Sequence, residues 1–393
     1  MCAGLAGGPV AGAWGERESV GVILGGGHAW PRSGDGLKVL AFDIGTGTKD
    51  VLLYDSERKL ENCLKMVVPS PTVVNAGVLD GVEQDIYLDG EIVGGGPLVH
   101  AAMRVQKRGH RVGFSAVAAN AVKNDNLRVQ ELGFYVGENP GWRTLRLDEH
   151  QLDRYLDFFE LFGERRGELD GLALCVQDHG KAGAGETDRT FRFNTFLEHL
   201  DRDPTLDVFT YTPEDLPGYF MRMKSGVEAI ARSCPGKRVV VMDTCVAALR
   251  GCLAFKGPVQ GPVMVLNCGN SHSMAAILKG NRIVALFEHH TKILKKAPQK
   301  YVKYLTGLAD GSIDPDEVFA DDGEGAFVKE VVGTGNIEAF LYTGPRRGLL
   351  DGLTFPFPCA PTIATPGGDM MMTGPVGLVD GFRKRFGLEL PLY

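Results

Sequence analysis

Two stretches of the chain repeat one another. "VLAFDIGTGTKDVLL" from Val39 aligns without a gap on "VMVLNCGNSHSMAAI" from Val263. Asp43 then falls on Asn267, Gly45 on Gly269, Gly47 on Ser271 and Thr48 on His272. Each copy reads as an apolar strand, a glycine turn and a second strand, and each opens a run of three strands. A duplicated strand-turn-strand restricts the fold sharply. It predicts two α/β halves of like topology facing a shared cleft, each half aiming a glycine turn into it. Backbone N–H groups in such turns form anion-binding concavities, so two turns can hold a polyphosphate from both sides.

The length agrees with two halves, because 393 residues exceed what one ordinary core covers. The predicted division is a flexible extension over residues 1–36, a first half over 37–255 with an insertion around 69–150, and a second half over 256–393. Residues 1–36 lack the basic start and apolar core of a signal peptide. The 53 glycines are about twice ordinary usage and gather at strand ends, where backbone makes tight turns or approaches a ligand. A net charge of -7 with no long Lys/Arg run argues against nucleic acid as a partner. No apolar run reaches the roughly 18 residues of a membrane span. The eight cysteines include no Cys-x-x-Cys; Cys175, Cys245 and Cys268 read as buried thiols, which points to a reducing, cytoplasmic setting.

Along the chain, "KVLAFDI", "DVLLYD" and "ENCLKMVV" read as strands and residues 69–81 as a loop. "EIVGGGPLVHAAMRVQKRGHRVGFSAV" reads as strand, glycine turn, helix and strand. Residues 148–166 have helical periodicity, "GLALCVQDHG" is a buried strand with a polar end, and residues 181–207 read as a long loop with a short helix. Residues 218–233 look helical. "KRVVVMD" is a strand, and "TCVAALRGCLA" a helix whose Ala247, Ala248 and Gly251 allow close packing. Three strands follow at 263–267, 273–278 and 282–287, then a basic helix at 292–308, strands in "EAFLYTG" and "PTIATPGGD", and a closing helix at 376–386.

These residues resemble the phosphate and adenosine motifs of the superfamily of acetate and sugar kinases, heat-shock chaperones and actin. "FDIGTGTKDVLLYD" is similar to its first phosphate motif, and Thr48-Lys49 to the Ser-Lys or Ser-Arg of glycerol and xylulose kinases. "NCGNSHS" stands where the second phosphate motif usually begins with Asp or Ser; here it begins with Asn267. "DTCVAALRG" from Asp243 resembles the connecting motif, an acid heading an alanine-rich helix. "TIATPGGDMMMTGP" resembles the adenosine motif. The four occur in the family's order over roughly residues 37–377; each alone is weak, and the ordered set with the repeat is much stronger. The resemblance implies two actin-like, ribonuclease H-like domains around an ATP cleft. "EHHT" at 288–291 and "GGD...TGPVGL" also resemble a microbial family whose members are often labelled pyruvate formate-lyase activating enzyme. Radical activases of that kind need Cys-x-x-x-Cys-x-x-Cys for an iron–sulfur cluster, and no such spacing occurs here.

The resemblance assigns roles residue by residue. Asp43 would hold Mg²⁺ through water; the bland alternative is an Asp that caps the turn. Gly45, Thr46, Gly47 and Thr48 would cradle the β- and γ-phosphates, with Gly269, Asn270, Ser271 and His272 opposite them. Lys49 is a phosphate contact or a solvated turn lysine. Asn267 removes one negative charge beside the polyphosphate. Asp243 would be the base or would orient the attacking water, and its position also suits an N-cap. Gln177, Asp178, His179 and Gly180 resemble the sugar-facing strand end of xylulose-type kinases, with Asp178 a reserve base; the alternative is a polar loop. Gly367, Gly368 and Asp369 would lie against adenosine, while Met370, Met371 and Met372 pack. Arg346 and Arg347 bind an anionic substrate or pair with surface acids. Glu288, His289 and His290 have a metal-like composition, but neighbours on a strand point to opposite faces, so no shared metal is predicted there.

The expected activity is ATP-dependent transfer of a phosphoryl group to a small hydroxyl- or carboxyl-bearing molecule, with ATP and Mg²⁺ as cofactors. The alternatives are an ATPase switch acting on a protein client, and a nucleotide binder without turnover.

Overall fold

This computed structural model describes residues 36–183, 185–389 and 392; the predicted extension, apart from Gly36, lies outside the described residues. The first sheet starts with the hairpin of β1 (Lys38–Ile44) and β2 (Thr48–Asp55), and β2 pairs on its far side with β3 (Leu64–Pro69). The chain then leaves this sheet for α1 (Pro71–Asp80), β4 (Ile86–Gly90), α2 (Gly95–Lys107), β5 (Val112–Phe114), α3 (Asn126–Glu131), β6 (Tyr135–Val136) and β7 (Arg143–Leu147). These strands make a separate parallel sheet, ordered β6-β5-β4-β7, with its own core around Leu88, Leu98, Ala101 and Phe114. After α4 (Leu152–Glu160), strand β8 (Gly171–Val176) returns parallel to β1. Helices α5 (Asp188–Arg202) and α6 (Met221–Ser233) precede β9 (Arg238–Asp243), which runs parallel to β8. The first sheet is therefore ordered β3-β2-β1-β8-β9.

Helix α7 (Thr244–Lys256) leads into the second sheet. It holds β10 (Val263–Cys268), β11 (His272–Lys279) and β12 (Arg282–His290). Then come α8 (Thr291–Leu294), α9 (Gln299–Asp310), α10 (Pro315–Ala320), β13 (Gly323–Val328), β14 (Ala339–Thr343), β15 (Pro361–Ile363) and α11 (Thr373–Arg385). The order is β13-β12-β11-β10-β14-β15, with β14 parallel to β10. Both sheets thus share one plan: an antiparallel three-strand meander whose first strand has parallel strands on its other side. This is the ribonuclease H-like, actin-like plan, present twice. The first strand is central in each copy and covered on both faces, which is why its sequence is almost continuously apolar rather than alternating.

The two halves exchange elements. Helix α11, late in the chain, packs Val376, Val379 and Phe382 on Val39, Ala41 and Val240 of the first sheet. Helix α5, early in the chain, packs Phe193, Phe196 and Leu200 with Val265 and Leu286 of the second. Helices α7 and α11 cross through glycines: a Cβ at Gly251 would overlap the Thr373 carbonyl, and one at Gly377 the Ala247 carbonyl. Of the small residues predicted for close packing on α7, Ala247 and Gly251 thus face α11, while Ala248 lines the cleft between the halves.

Some elements differ from the sequence reading. Residues 69–81 are mostly helix α1, with Pro71 at its first turn and Thr72, Ala76 and Leu79 buried; packing on α2 overrides the Pro- and Val-rich composition. Residues 188–202 form a 15-residue helix, not a loop with a short helix, because its buried face carries Arg192, Thr195 and His199 among the apolar residues and so hides the period. "EIV" lies beyond the end of β4, and the basic helix divides at Pro298 into α8 and α9. Among the described residues no helix is long and apolar enough to cross a membrane.

Candidate functional site

The two glycine turns close in the same way. Gly45 donates its N–H to the Thr48 carbonyl at 3.0 Å, and Gly269 donates to the His272 carbonyl at 3.0 Å. Ser70 braces the first turn, its hydroxyl donating to Thr46 O at 3.0 Å and its N–H to Gly47 O at 3.1 Å. The turns meet across the cleft. The Thr46 and Ser271 hydroxyls are 2.7 Å apart, and a Cβ on Gly47 would overlap the Asn270 amide. Behind this contact is a cleft lined by both turns and by Asp43, Asp50, Gln177, Arg222, Thr244 and Met370, among others.

Its floor is acidic on one side only. Asp43 of β1 stands directly opposite Asp50 of β2. Directly opposed residues keep their Cβ atoms about 4.5–5.5 Å apart on one face. Asp43 accepts from the Thr244 hydroxyl at 2.6 Å, and the start of α11 abuts it, since a Cβ at Gly374 would overlap its carboxylate. Burial raises Asp43 to about 6 and Asp50 to about 8; the charge of Asp43 adds to the shift on Asp50, while the Thr244 bond restrains that on Asp43. Asp50 Oδ1 is buried without a hydrogen-bond partner. A buried carboxylate with an orphaned oxygen, facing a second, partly buried one, is a donor set that fits a hard oxygen-seeking cation such as Mg²⁺. Asp50 was not among the residues predicted from sequence. The hairpin register would have found it, since a turn closed by Gly45 and Thr48 pairs 43 with 50.

Asp243 is both cap and ion-pair partner. Its Oδ1 accepts from Cys245 N at 2.9 Å at the start of α7, and its Oδ2 from Arg192 Nη1 at 2.8 Å. The buried Arg192 guanidinium also holds Glu288 through Nε and Nη2, each at 2.9 Å, and donates to Asp178 O at 3.1 Å. Asp178, the reserve base, has both oxygens engaged by backbone: Gly180 N at 2.9 Å, and Arg222 N and Met223 N at 2.7 and 3.1 Å. Burial pushes its carboxyl up and those N–H groups oppose the shift. Asp178 therefore shapes the loop from which His179 projects. Arg192 was not predicted either, since its helix was read as a loop.

Other predicted residues lie elsewhere. Lys49 is neither a phosphate contact nor a solvated lysine: it is fully buried, donates to His150 O at 2.9 Å and sits 4.8 Å from the centre of the Tyr155 ring. Strand alternation explains this, because Thr48 and Asp50 take the cleft face and Lys49 the opposite one. Burial pulls its ammonium down to about 8. Gly367 and Gly368 form a turn at φ +60° and +81°; Lys65 donates to Gly367 O at 2.7 Å, and Asp369 caps Met371 N at 2.9 Å. These three do not line the cleft, whereas Met370 and Met371 do. Arg346 and Arg347 make no ion pair among the described residues; the neighbouring Gly344 and Pro345 line the cleft. His289 turns to Asp321 at 3.1 Å, while His290, on the other face of β12, comes within 3.6 Å of Glu324. His272 lies between, its Nδ1 at the Gln177 amide and its Nε2 3.0 Å from Glu324.

Fold and site define a duplicated actin-like protein with a cleft between paired glycine turns. The chain belongs to the family described as "Putative pyruvate format-lyase activating enzyme (DUF1786)", which matches residues 93–349. Among solved structures it is similar to the ethanolamine utilization protein EutJ from Carboxydothermus hydrogenoformans, at 11% identity, covering 89% of this chain and 90% of that one with a TM-score of 0.32. It is also similar to a PilM–PilN type IV pilus biogenesis complex at 12% identity, 90% and 99% coverage and a TM-score of 0.38. A Ppx/GppA family member from Aquifex aeolicus is similar at 10% identity over 71% of this chain and 64% of that one, with a TM-score of 0.28. No curated protein matches the chain. The described cysteines are free and, apart from Cys359, buried. Among the described residues, the one close group of potential metal ligands contains no cysteine.

Proposed function

We propose that the protein is a Mg²⁺-dependent ATP-binding switch that hydrolyses ATP slowly and couples the separation of its halves to a protein client. The observation that carries this reading is the contact between the duplicated turns. A polyphosphate held by Gly45, Thr46, Gly47 and Thr48 on one side and Gly269, Asn270 and Ser271 on the other must replace the Thr46–Ser271 bond. Nucleotide binding and the separation of the halves are then the same event. Asp43 and Asp50 would hold the ion, which supplies charge neutralisation at the β- and γ-phosphates. Thr244 orients Asp43 by its hydroxyl bond, and the start of α11 screens that carboxylate from water. A cytoplasmic location accompanies this use of ATP.

Phosphoryl transfer to a small hydroxyl- or carboxyl-bearing molecule is the second reading. It is favoured by Gln177, which brings the polar end of β8 to the cleft. Asp243 would be its base, but its Arg192 and Cys245 bonds leave it poorly placed to accept a proton until they loosen. Calorimetric titration of the full chain with Mg·ATP, with ADP release followed in the same samples, tests both. The switch predicts saturable Mg²⁺-dependent binding and slow release that a panel of small hydroxy and carboxy acids and sugars does not accelerate. Acceleration by one of them makes the protein a kinase. No binding with magnesium present overturns the nucleotide reading.

A further inference from the structure

Beside the phosphate turns, four side chains from four separate segments converge on one point. His179 comes from the loop after β8, His272 begins β11, His290 ends β12 and Glu324 lies in β13. Glu324 has no side-chain exposure. Its Oε1 is 3.0 Å from His272 Nε2, 3.6 Å from His290 Nε2 and 3.9 Å from His179 Nε2. Its Oε2 is buried with no hydrogen-bond partner. A carboxylate buried with an orphaned oxygen is costly unless something charged or donating completes it.

The backbone is built to bring these groups together. His272 and His290 are directly opposed on neighbouring antiparallel strands. The register between β12 and β13 slips at Glu288/His289, where Gly325 opposes Glu288 and Gly323 opposes His289, leaving Glu324 as the extra residue. Such bulges re-aim a side chain. Both flanking glycines are needed, since a Cβ at Gly323 would press on His289 and Val318, and one at Gly325 on the Phe193 ring. The remaining ring nitrogens are also held. His290 Nδ1 donates to Asp322 O at 2.5 Å, and His272 Nδ1 meets the Gln177 amide, 2.6 Å from its nitrogen and 2.8 Å from its oxygen. With Nδ1 donating, His290 Nε2 turns a lone pair towards Glu324, the arrangement by which outer partners orient metal-binding histidines.

We propose that His179, His272 and Glu324 bind a divalent transition-metal ion of the zinc class, with His290 beside them as a further ligand or support. The ligand atoms of the first three lie within 4.8 Å of one another. Four ligands at the 2.0–2.1 Å typical of zinc stand about 3.3–3.4 Å apart, a spacing that the 3.0 to 3.9 Å separations about Glu324 Oε1 bracket. Imidazole nitrogens select Zn²⁺, Co²⁺, Fe²⁺ or Ni²⁺ over Mg²⁺, which separates this site from the carboxylate pair Asp43–Asp50. His179 belongs to the first half and the others to the second, so the ion would clasp the two halves independently of nucleotide.

The test uses the full untagged chain, stripped with a chelator and titrated with Co²⁺ in the absence of nucleotide. One equivalent should produce the intense visible absorption of tetrahedral Co²⁺, removed by Zn²⁺ and unaffected by excess Mg²⁺, and should raise the melting temperature. His179→Ala changes a side chain that is 31% exposed, so the fold is retained, and should weaken Co²⁺ binding by about 100-fold. Glu324→Gln keeps the shape and should lose the band, whereas the remote His110→Ala should keep it. Absence of the band in wild type, or its persistence in both His179→Ala and Glu324→Gln, overturns the site whatever the outcome with ATP.

Discussion

The two glycine hairpins have the same backbone and opposite chemistry. In the first, Asp43 faces Asp50; at the matching positions of the second, Asn267 faces Met274. The outer faces differ as well. Lys49 is buried under Tyr155 in the first, while Ser273, its counterpart, shares a hydroxyl network with Thr291 and Tyr301 at 2.9 and 2.7 Å. At the end of the turn, Thr48 is matched by His272, which looks to Glu324. A duplicated fold can thus keep one glycine turn on each lip and place a pair of facing carboxylates on only one.

Three experiments would break or sharpen this asymmetry. The largest effect is expected at the carboxylate pair. Asp43→Ala should weaken Mg²⁺-dependent ATP binding by about 100-fold, about 3 kcal/mol, in calorimetry. Asn267→Ala should weaken it by less than about 5-fold, on the scale of one neutral hydrogen bond. Equal losses would mean that the hairpins contribute alike.

The next effect is on stability. Lys49 titrates at about 8 in the folded chain, against about 10.4 when unfolded. Between those values the unfolded state holds a proton that the native state has released, so stability rises with pH through that window. The slope contributed is at most about 1.4 kcal/mol per pH unit. Lys49→Met should abolish that rise in urea unfolding between pH 7 and pH 10, while Ser273→Ala should leave the slope unchanged. ATP affinity should also survive Lys49→Met, because the side chain lies away from the cleft; a large loss would return Lys49 to the phosphates.

The smallest effect concerns the lips. Thr46→Val removes the hydroxyl that meets Ser271, a bond worth about 0.5–1.5 kcal/mol. Amide exchange should quicken in both turns together. Faster exchange in only one turn would show that the contact does not couple the halves.

Much of the architecture is legible from local sequence. The duplication, the two three-strand meanders, Asp43 at a strand end and Asp243 heading α7 can all be read from neighbours a few residues apart. So can the opposite faces of His289 and His290, because strand alternation is a local rule. Helix α5 escapes that reading, since three polar residues on its buried face, Arg192, Thr195 and His199, obscure the 3.6-residue period. The partners of Arg192, Glu288 and Asp243, become visible only once the chain is folded. Asp50 lies in between: the hairpin register predicts that it faces Asp43, but its burial depends on elements brought over from both halves.

By itself, then, the sequence determined that two like α/β units carry two glycine turns, because turn chemistry and apolar periodicity act between near neighbours. Tertiary structure alone decided that the turns touch and that Arg192 occupies the candidate base. It also decided that His179, His272, His290 and Glu324 share one point. Those contacts join residues up to 225 positions apart. Nothing in the local pattern of any one segment says which distant side chain will complete its buried charge.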